Sequence, residues 1–231
     1  DYLNPQNIEQ FKALEAKIKQ IIEKVRTAVV CVKIGRGSGS GTFISEDGWV
    51  ITAAHVTRQA NMPCQIILHD GTTLQATTQG FNRTLDFALV KAVVPENLKI
   101  TTVPTGDSDK MTTGRWVISM GHPLGKFKDR PPVVRTGRVI MRSRMIVSDA
   151  PLISGDSGGP MFNLDGQIVG INVSISIQNP RINNTTPINP AVQQLDDLKA
   201  GKSLSGTGPS VSGYDNGIEE AYKIRDKALK D

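Results

Sequence analysis

Short apolar runs, each closed by a turn signal, fill the chain from residue 29 to residue 200. Glu46-Asp47-Gly48 and Asp70-Gly71 are turns of this kind, since Asp and Gly tolerate the backbone angles of tight hairpins. The 22 glycines and 13 prolines among 231 residues also fit a protein with many turns. Strands do not alternate with helical segments, which argues against a parallel α/β fold. The pattern therefore predicts an all-β protein.

The predicted strands fall into two groups. The first group precedes Ile100 and comprises residues 29–34, 41–45, 49–52, 64–68, 74–80 and 87–92. The second group follows Val103 and comprises residues 116–120, 132–141, 144–147, 160–163, 167–172 and 185–188. About six short antiparallel strands are enough to close a small barrel, so we expect two barrels with a cleft between them.

One amphipathic helix precedes the strands, at residues 5–26. Its apolar side chains recur at steps of three and four, which places them in one stripe. Asn4 can cap the first turn, and Pro5 suits the first helical position. The stripe predicts packing on a barrel or against another subunit. A membrane-surface helix is disfavoured because the polar face mixes acidic with basic side chains.

Charge, hydropathy and cysteine content narrow the functional classes. The net charge of +5 is small, and no basic patch interleaved with aromatic residues indicates nucleic-acid binding. No apolar run approaches the ~20 residues that cross a bilayer, so we expect no stable membrane insertion. Cys31 and Cys64 lie in apolar, strand-like runs, which predicts two buried free thiols. Their strands would be neighbours in a closed barrel, so a disulfide between them is the alternative.

Residues 154–160, SGDSGGP, have the composition of an exposed catalytic turn. A serine hydroxyl is a weak nucleophile, so a catalytic serine must project from a tight turn beside a base. Gly155 and Gly158 flank Ser157, and their lack of a Cβ lets backbone N–H groups converge on one point. A Gly/Ser loop without chemistry is the alternative interpretation.

Two further stretches supply partners for such a serine. Residues 50–56, VITAAHV, place His55 at the end of an apolar strand, and residues 84–91, TLDFALVK, place Asp86 at the start of another. A carboxylate there is costly to bury unless something pairs with it, and an imidazole N–H is a suitable partner. Taken singly, either residue has a structural explanation. Together with Ser157 they indicate a catalytic site.

The motifs TAAHV, TLDFALV and GDSGGP, in this order, resemble the catalytic signatures of the chymotrypsin-like serine proteases. The short gaps between them resemble the HtrA/Deg branch. The resemblance covers residues 29–200 and includes the blocks GSGSGTFISEDGWVITAAHV, HDGTTLQA, GDSDKMTTGRWVISMGHPLG, GPMFNLDGQIVGIN and TPINPAV. It implies two six-stranded antiparallel β-barrels, with a serine endopeptidase site at the cleft between them. It implies no metal and no organic cofactor, and neither His69 nor His122 has partners at metal-ligand spacing.

The resemblance also assigns roles to individual residues. His55 would accept the proton of Ser157, and Asp86 would orient His55. The backbone at Gly155, Asp156 and Ser157 would form the oxyanion hole, with the N–H groups of Gly155 and Ser157 as donors. The primary specificity pocket would have two walls, formed by Pro151, Leu152 and Ile153 and by Val173, Ser174 and Ile175. This apolar pocket predicts cleavage after Val, Ala or Leu rather than after Arg or Lys.

Two features depart from the HtrA/Deg pattern. That branch has Asn immediately before the nucleophile, whereas this chain has Asp156. In trypsin-like enzymes an Asp at this place pairs with a new amino terminus made by activation cleavage. An unpaired buried carboxylate would deform the oxyanion hole. We therefore expect either a nearby Lys or Arg that satisfies Asp156, or a hole that switches between ordered and collapsed forms. The link at residues 141–145 is shorter than the sensor loop of the relatives, so we expect no activation relayed from a PDZ domain.

These assignments divide the chain into three regions. Residues 1–28 form a helical segment, residues 29–200 the protease domain, and residues 201–231 a Gly/Ser-rich linker with a charged tail. No PDZ domain fits into the last region, so either the chain is cut or it is a PDZ-less relative. The resemblance further implies polypeptide substrates, a periplasmic or extracellular location and a homotrimer. A protease-like binding or scaffold protein with a collapsed hole, and an oligomeric chaperone, are the alternative functions.

Overall fold

The strands of the first half close into an antiparallel barrel. The computed structural model describes residues 4–127, 130–175 and 182–205. The strands of this barrel are β1 (Val29–Ile34), β2 (Gly37–Phe43), β3 (Trp49–Thr52), β4 (Pro63–Ile67), β5 (Thr73–Asn82) and β6 (Phe87–Ala92). Their order is β5-β4-β1-β2-β3-β6, and pairing of β5 with β6 closes the ring.

A second closed barrel follows. Its strands are β7 (Trp116–Gly121), β8 (Val133–Arg142), β9 (Ile146–Ser148), β10 (Pro160–Phe162), β11 (Ile168–Ile175) and β12 (Asn183–Pro187). They are arranged in the order β10-β11-β12-β9-β8-β7. The prediction of two six-stranded barrels is confirmed. A short strand, β13 (Ser203–Leu204), pairs in parallel with β5, and residues 206–231 of the predicted linker and tail lie outside the described residues.

Alternating side chains of the strands fill three apolar layers. In β3, Val50 belongs to the core of the first barrel, whereas Ile51 belongs to a core between the barrels. In β7, Val117 lies inside the second barrel and Ile118 in the shared core. Successive side chains of a strand point to opposite faces, so one strand can line both layers. The shared core also contains Phe87, Leu89, Met120, Phe162, Ile168 and Ile171.

The predicted helix is present as α1 (Ile8–Val25), but it begins later than predicted. The cap is Asn7 and not Asn4, because the Asn7 side chain accepts a 2.9 Å hydrogen bond from the Gln10 N–H. Pro5 therefore precedes the helix. Among the helices of the described residues, none is long and apolar enough to span a membrane.

The carboxyl-terminal half of α1 packs on the protein, as one of the two predicted arrangements requires. Ile21 and Val25 are buried in the core between the barrels. They pack near Gly166, which lies in the turn between β10 and β11. At the other end of the helix, Ile8 is 73% exposed and Phe11 is 51% exposed. Leu14, between these ends, is also buried, so only the first part of the apolar stripe is left uncovered within the chain.

Strand β2 begins at Gly37 instead of residue 41, so the sequence analysis missed its first half. Gly is disfavoured in strands, and GSGSG therefore gave no strand signal. The packing explains the composition. A Cβ at Gly39 would lie 2.6 Å from Val56 Cγ2 and 2.9 Å from the Ser157 carbonyl oxygen, and one at Gly41 would lie 2.6 Å from Val50 Cγ1. The small residues let β2 approach the segments that carry His55 and Ser157.

Three short helices were not predicted. They are α2 (Ala54–Thr57), α3 (Ile188–Gln193) and α4 (Leu195–Lys199). Segments of four to six residues are too short to show a helical period. Ile188, which we assigned to the last strand, instead opens α3. Pro190 is tolerated there because it stands in the first turn, where its missing N–H costs nothing.

Cys31 and Cys64 are both buried free thiols, so the disulfide alternative is wrong. Strands β1 and β4 do pair, but Cys31 lies opposite Ile67. Cys64 is three places further along that ladder, roughly 10 Å away, and its side chain projects from the opposite face. A disulfide requires Cα atoms within about 7 Å and Cβ atoms that face each other.

We predict that neither cysteine reacts with a thiol reagent such as DTNB in the native protein near neutral pH, whereas both react in denaturant. Burial raises the pKa of Cys64 to about 11 and also raises the pKa of Cys31. Little reactive thiolate is therefore present. The measurement is a thiol titration of non-reduced protein. Fewer than two thiols per chain in denaturant would contradict the register described here.

Candidate active site

The turn at residues 154–160 has a backbone that requires glycine. Gly155 has φ of +96° and Gly158 has φ of +84°, in a region that side chains rarely allow. A Cβ at Gly158 would also clash with the carbonyl oxygen of Ser40. The Gly158 N–H donates a 2.7 Å hydrogen bond to the Asn172 carbonyl oxygen. The turn is thereby tied to β11, and it leaves Ser157 half-buried at the surface of the second barrel.

Ser40 of β2 joins the first barrel to this turn. Its N–H donates to the Ser157 carbonyl oxygen over 2.7 Å, and its hydroxyl donates to the Gly155 carbonyl oxygen over 2.7 Å. The same hydroxyl accepts from the His122 N–H over 2.8 Å, and Ser40 is fully buried. The sequence analysis missed this residue because a serine within a Gly/Ser run has the composition of a linker.

Two backbone N–H groups of the turn, those of Gly155 and Ser157, have no acceptor in the part of the chain that the structure describes. The Asp156 N–H, by contrast, donates to the Ile153 carbonyl oxygen over 3.1 Å. Asp156, which we included in the predicted hole, therefore supplies no donor. Unpaired N–H groups two residues apart are suited to bind one oxyanion.

His55 lies in α2, directly after β3, and Asp86 holds its ring. His55 Nδ1 is 2.6 Å from Asp86 Oδ2, and the His55 backbone N–H donates to Asp86 Oδ1 over 2.9 Å. Asp86 immediately precedes β6, is nearly buried and has a left-handed φ of +57°. That conformation costs a non-glycine residue on the order of 1 kcal/mol. The first contact engages Nδ1 and leaves Nε2 of the ring for another partner.

His55 and Ser157 line the same cleft. This cavity of about 210 Å³ is further lined by Ile34, Gly37, Ser38, Val56, Arg58, Ser154 and Gly155. Among the described residues, no hydrogen bond joins Ser157 Oγ to His55. The Ser157 hydroxyl instead lies 3.5 Å from the Val173 carbonyl oxygen, at the outer limit for a hydrogen bond. Of the three predicted catalytic residues, the structure thus puts His55 and Asp86 in contact and Ser157 on the same cleft.

None of the six predicted specificity residues is among the described residues that line this cleft. Leu152 and Val173 are buried, Ser174 is half-buried, and Ile153 is 47% exposed. The two walls meet at Asn183. Its side chain accepts from the Leu152 N–H over 3.3 Å, and it pairs with Ile175 in the ladder of β11 and β12. Pro151 is exposed, and residues 176–181 after β11 lie outside the described residues.

The side chain of His122 is a buried neutral group. Its Nε2 is 3.4 Å from the Val29 carbonyl oxygen, and burial lowers its pKa to about 4. Its ring is therefore uncharged near neutral pH, and His122 contacts the site through its backbone, whose N–H donates to the Ser40 hydroxyl. Nowhere in residues 4–127, 130–175 and 182–205 do three His, Cys, Asp or Glu side chains converge to hold a metal ion.

A family model described as a trypsin-like peptidase domain matches residues 39–171, more than half of the chain. The chain belongs to the trypsin-like peptidase family. The matched range contains His55, Asp86 and Ser157, as well as the contact of Ser40 with the nucleophile turn.

Named relatives belong to the same branch. A protein of Synechocystis sp. (strain ATCC 27184 / PCC 6803 / Kazusa), named as the serine protease HhoB, is 34% identical over 174 residues, which are 71% of this chain and 40% of that protein. Two proteins named as periplasmic serine endoproteases, DegP-like, come from Rhizobium meliloti and Halomonas elongata. They are 38% and 34% identical over 61% and 74% of this chain. The resemblance to the HtrA/Deg branch is confirmed, and the chain spans 28–40% of the length of these relatives.

Asp156 is one of the two departures of this chain from the HtrA/Deg pattern, and its carboxylate has a cationic partner in the structure. Arg135 of β8 places Nη2 3.0 Å from Asp156 Oδ2, which also accepts the Ile153 N–H over 2.9 Å. The expectation of a nearby Lys or Arg is confirmed. Both side chains are largely buried. Asp156 Oδ1 and Arg135 Nη1 have no hydrogen-bond partner among the described residues. Burial raises the pKa of Asp156, although Arg135 acts to lower it.

We predict that Arg135→Met destabilises this trypsin-like domain by about 3–5 kcal/mol, because it leaves a buried charge without its partner. Asp156→Asn in the same chain should recover much of that loss, since it removes the charge. Denaturant unfolding of the wild type, both single variants and the double variant measures the coupling. Arg138→Met, whose guanidinium stacks on Trp116, is the matched control from the same strand. Additive effects of the two substitutions would contradict the pairing.

The same variants have a pH dependence whose sign follows from the raised pKa of Asp156. A carboxyl group with a higher pKa in the folded state binds its proton more readily when folded. The wild type should therefore gain stability relative to Asp156→Asn as the pH falls through the folded pKa towards the ordinary value of 3.8. In Arg135→Met this gain should be larger and begin at higher pH. A relative loss of wild-type stability over that range would show that the sign is wrong.

Proposed function

We propose that residues 29–200 form the protease domain of a serine endopeptidase with His55, Asp86 and Ser157 as its catalytic triad. Residues 1–28 would be a helical segment, and residues 201–231 a linker and tail. The observation that carries the proposal is the 2.6 Å contact of His55 Nδ1 with Asp86 Oδ2, beside a cleft that Ser157 also lines. The names of the relatives, serine protease and serine endoprotease, support the same activity.

In the proposed reaction, Ser157 Oγ attacks the carbonyl carbon of a peptide bond while His55 Nε2 takes its proton. The N–H groups of Gly155 and Ser157 stabilise the resulting oxyanion, each by about 2.7–4 kcal/mol in the barrier. The C–N bond then breaks, and His55 returns the proton to the leaving amine. A water molecule, deprotonated by His55, hydrolyses the acyl ester and restores Ser157. Asp86 keeps the proton of neutral His55 on Nδ1 and stabilises the charged ring.

We predict that labelling by a serine-directed phosphonate separates this activity from its rivals. The wild type should be labelled at one residue, Ser157, and Ser157→Ala should lose both the label and peptide cleavage. Asp86→Asn should lower the labelling rate by about 10⁴-fold because it favours the wrong tautomer of His55. Intact-mass spectrometry gives the rate and the site. Ser143→Ala, which removes an exposed serine that does not line the cleft, is the matched control and should label normally.

Absence of the label in folded wild-type protein would favour a second function. In that case the chain would be a protease-like binding or scaffold protein, or a chaperone. One observation favours this competitor, namely that within the described chain Ser157 Oγ is not hydrogen-bonded to His55. A chaperone would suppress aggregation equally well with Ser157→Ala.

The specificity of the proposed enzyme follows from the two walls at residues 151–153 and 173–175. Leu152 and Val173 are buried next to the turn. Neither wall contains a carboxylate that could pair with a basic side chain. An apolar pocket discriminates by size, at roughly 1–3 kcal/mol per methylene.

We predict cleavage after Val, Ala or Leu in a peptide library analysed by mass spectrometry. Leu152→Asp should lower the efficiency of cleavage after Val by at least about tenfold, because it places a charge in the apolar wall. The conservative variant Leu152→Met controls for folding. A wild-type preference for Arg or Lys would overturn the assignment of these walls.

The substrates and setting of the enzyme are further parts of the proposal. We infer that it acts on unfolded polypeptides outside the cytoplasm, since relatives are named as periplasmic. We also infer a homotrimer held by the amino-terminal segment. The exposed Ile8 and Phe11 of α1 support it, because a partner subunit would cover them.

A further inference from the structure

The cleft with His55 and Ser157 is lined mainly by residues of the first barrel. Ile34, Gly37 and Ser38, from the hairpin of β1 and β2, line it together with Arg58, which follows α2. Among the described residues that line it, none comes from the specificity walls at 151–153 or 173–175. A peptide whose acyl side rests on those walls must therefore run its leaving-group side through this part of the cleft.

Arg58 is the cation of this cleft. Its side chain is exposed, and its guanidinium lies over the β1–β2 turn, since a Cβ at Gly37 would lie 3.7 Å from Arg58 Nη2. Its carbonyl oxygen accepts a hydrogen bond from the Arg83 guanidinium, which ties down the backbone at a left-handed φ of +64°. No carboxylate in the described ranges forms an ion pair with Arg58. The guanidinium is thus free to bind an anion.

More cations lie around β1, the strand whose last residue, Ile34, lines the cleft. Lys33, Lys126 and Arg130 all act electrostatically on the buried thiol of Cys31 in β1, which places them around that strand. The segment with Lys126 borders the cleft, because a Cβ at Gly125 would lie 3.1 Å from Ser38 Oγ. In the ranges that the structure describes, none of these three cations has a carboxylate partner.

Two carboxylates belong to the active site, and both already have partners: Asp86 is bonded to His55 and Asp156 to Arg135. Like charges on one side of a cleft raise the local concentration of anionic ligands and repel cationic ones. An incoming Lys or Arg would therefore meet repulsion here, whereas an Asp or Glu would find a guanidinium with free donors.

We infer that this side of the cleft is a subsite for an acidic side chain, with Arg58 as its specificity-determining residue. The inference rests on the proposed endopeptidase function and names its substrate class: polypeptides with Asp or Glu at the first or second position after the scissile bond. The carboxylate binds the Arg58 guanidinium, while the surrounding lysines and arginines contribute through their field.

The test compares quenched fluorescent peptides that differ only after the scissile bond, where they carry Glu, Gln or Lys. In the wild type, kcat/KM should follow the order Glu, Gln, Lys, with a ratio of Glu to Gln of about two- to fivefold at low salt. The ratio should fall towards one in Arg58→Gln and at high salt, where charges are screened. Arg58→Lys should retain part of it. Arg115→Gln, which removes an exposed arginine at the far end of β7, should leave the ratio unchanged.

A second measurement keeps this inference separate from the proposed function. The same peptides, labelled with a fluorophore, are bound to Ser157→Ala and to Ser157→Ala with Arg58→Gln, and affinity is read from anisotropy. If the wild type neither cleaves nor reacts with phosphonate but the Glu peptide still binds more tightly in an Arg58-dependent way, the endopeptidase function fails and the subsite stands. Equal binding and equal cleavage of the Glu and Gln peptides, or a preference that survives Arg58→Gln, would overturn the subsite.

Discussion

The contact of Ser40 with the nucleophile turn is the constraint on which the site depends. Ser40 belongs to the first barrel and the turn to the second, so this contact sets where Ser157 stands relative to His55. The peptide between Gly155 and Asp156 is held at both ends, its oxygen by the Ser40 hydroxyl and its N–H by the Ile153 carbonyl. A planar peptide held at both ends cannot rotate without breaking both bonds. In a buried setting each unpaired group would cost about 1–3 kcal/mol, which opposes a collapsed form of the turn.

The apolar layer between the barrels holds them in one relative position and so fixes the geometry of the contact between Ser40 and the nucleophile turn. Ile51 and Ile118, one from each barrel, lie in that layer and are buried, as are its larger members such as Phe162. Close-packed interiors resist sliding, so the barrels keep one relative placement. A hydrogen bond of 2.5 Å from the Thr186 hydroxyl to the Leu85 carbonyl oxygen crosses between them next to Asp86. Both halves of the site are therefore anchored at the same seam.

The sequence predicted those features that depend on local residue patterns and motifs. It could not predict features that depend on contacts between residues far apart in the chain. Alternating apolar runs and turn signals sufficed for twelve strands, and the resemblance of the motifs to those of serine proteases pointed to the residues that line the cleft. It failed at the first half of β2, because only the proximity of Val56 and Ser157 explains glycine at residue 39. Arg135 could not be found either, since one arginine in a strand shows no preference for a partner 21 residues away in the chain. The cysteine register likewise depends on pairing, which no local pattern reveals.

The ion pair of Asp156 and Arg135 is difficult to explain as a device for stability. Both groups lose hydration, and each retains a buried polar atom without a partner in the described structure. Such pairs are commonly no more stable than apolar side chains of the same volume. The pair instead fixes the orientation of the Asp156 side chain, because one of its carboxylate oxygens binds both Arg135 and the Ile153 N–H. Asp156, the residue before the nucleophile, is thereby bound to β8 of the second barrel. Ser40 of the first barrel binds the carbonyl oxygen of Gly155, the residue before Asp156. A turn fixed from two barrels by polar contacts has a unique conformation, which an apolar side chain at residue 156 would not specify.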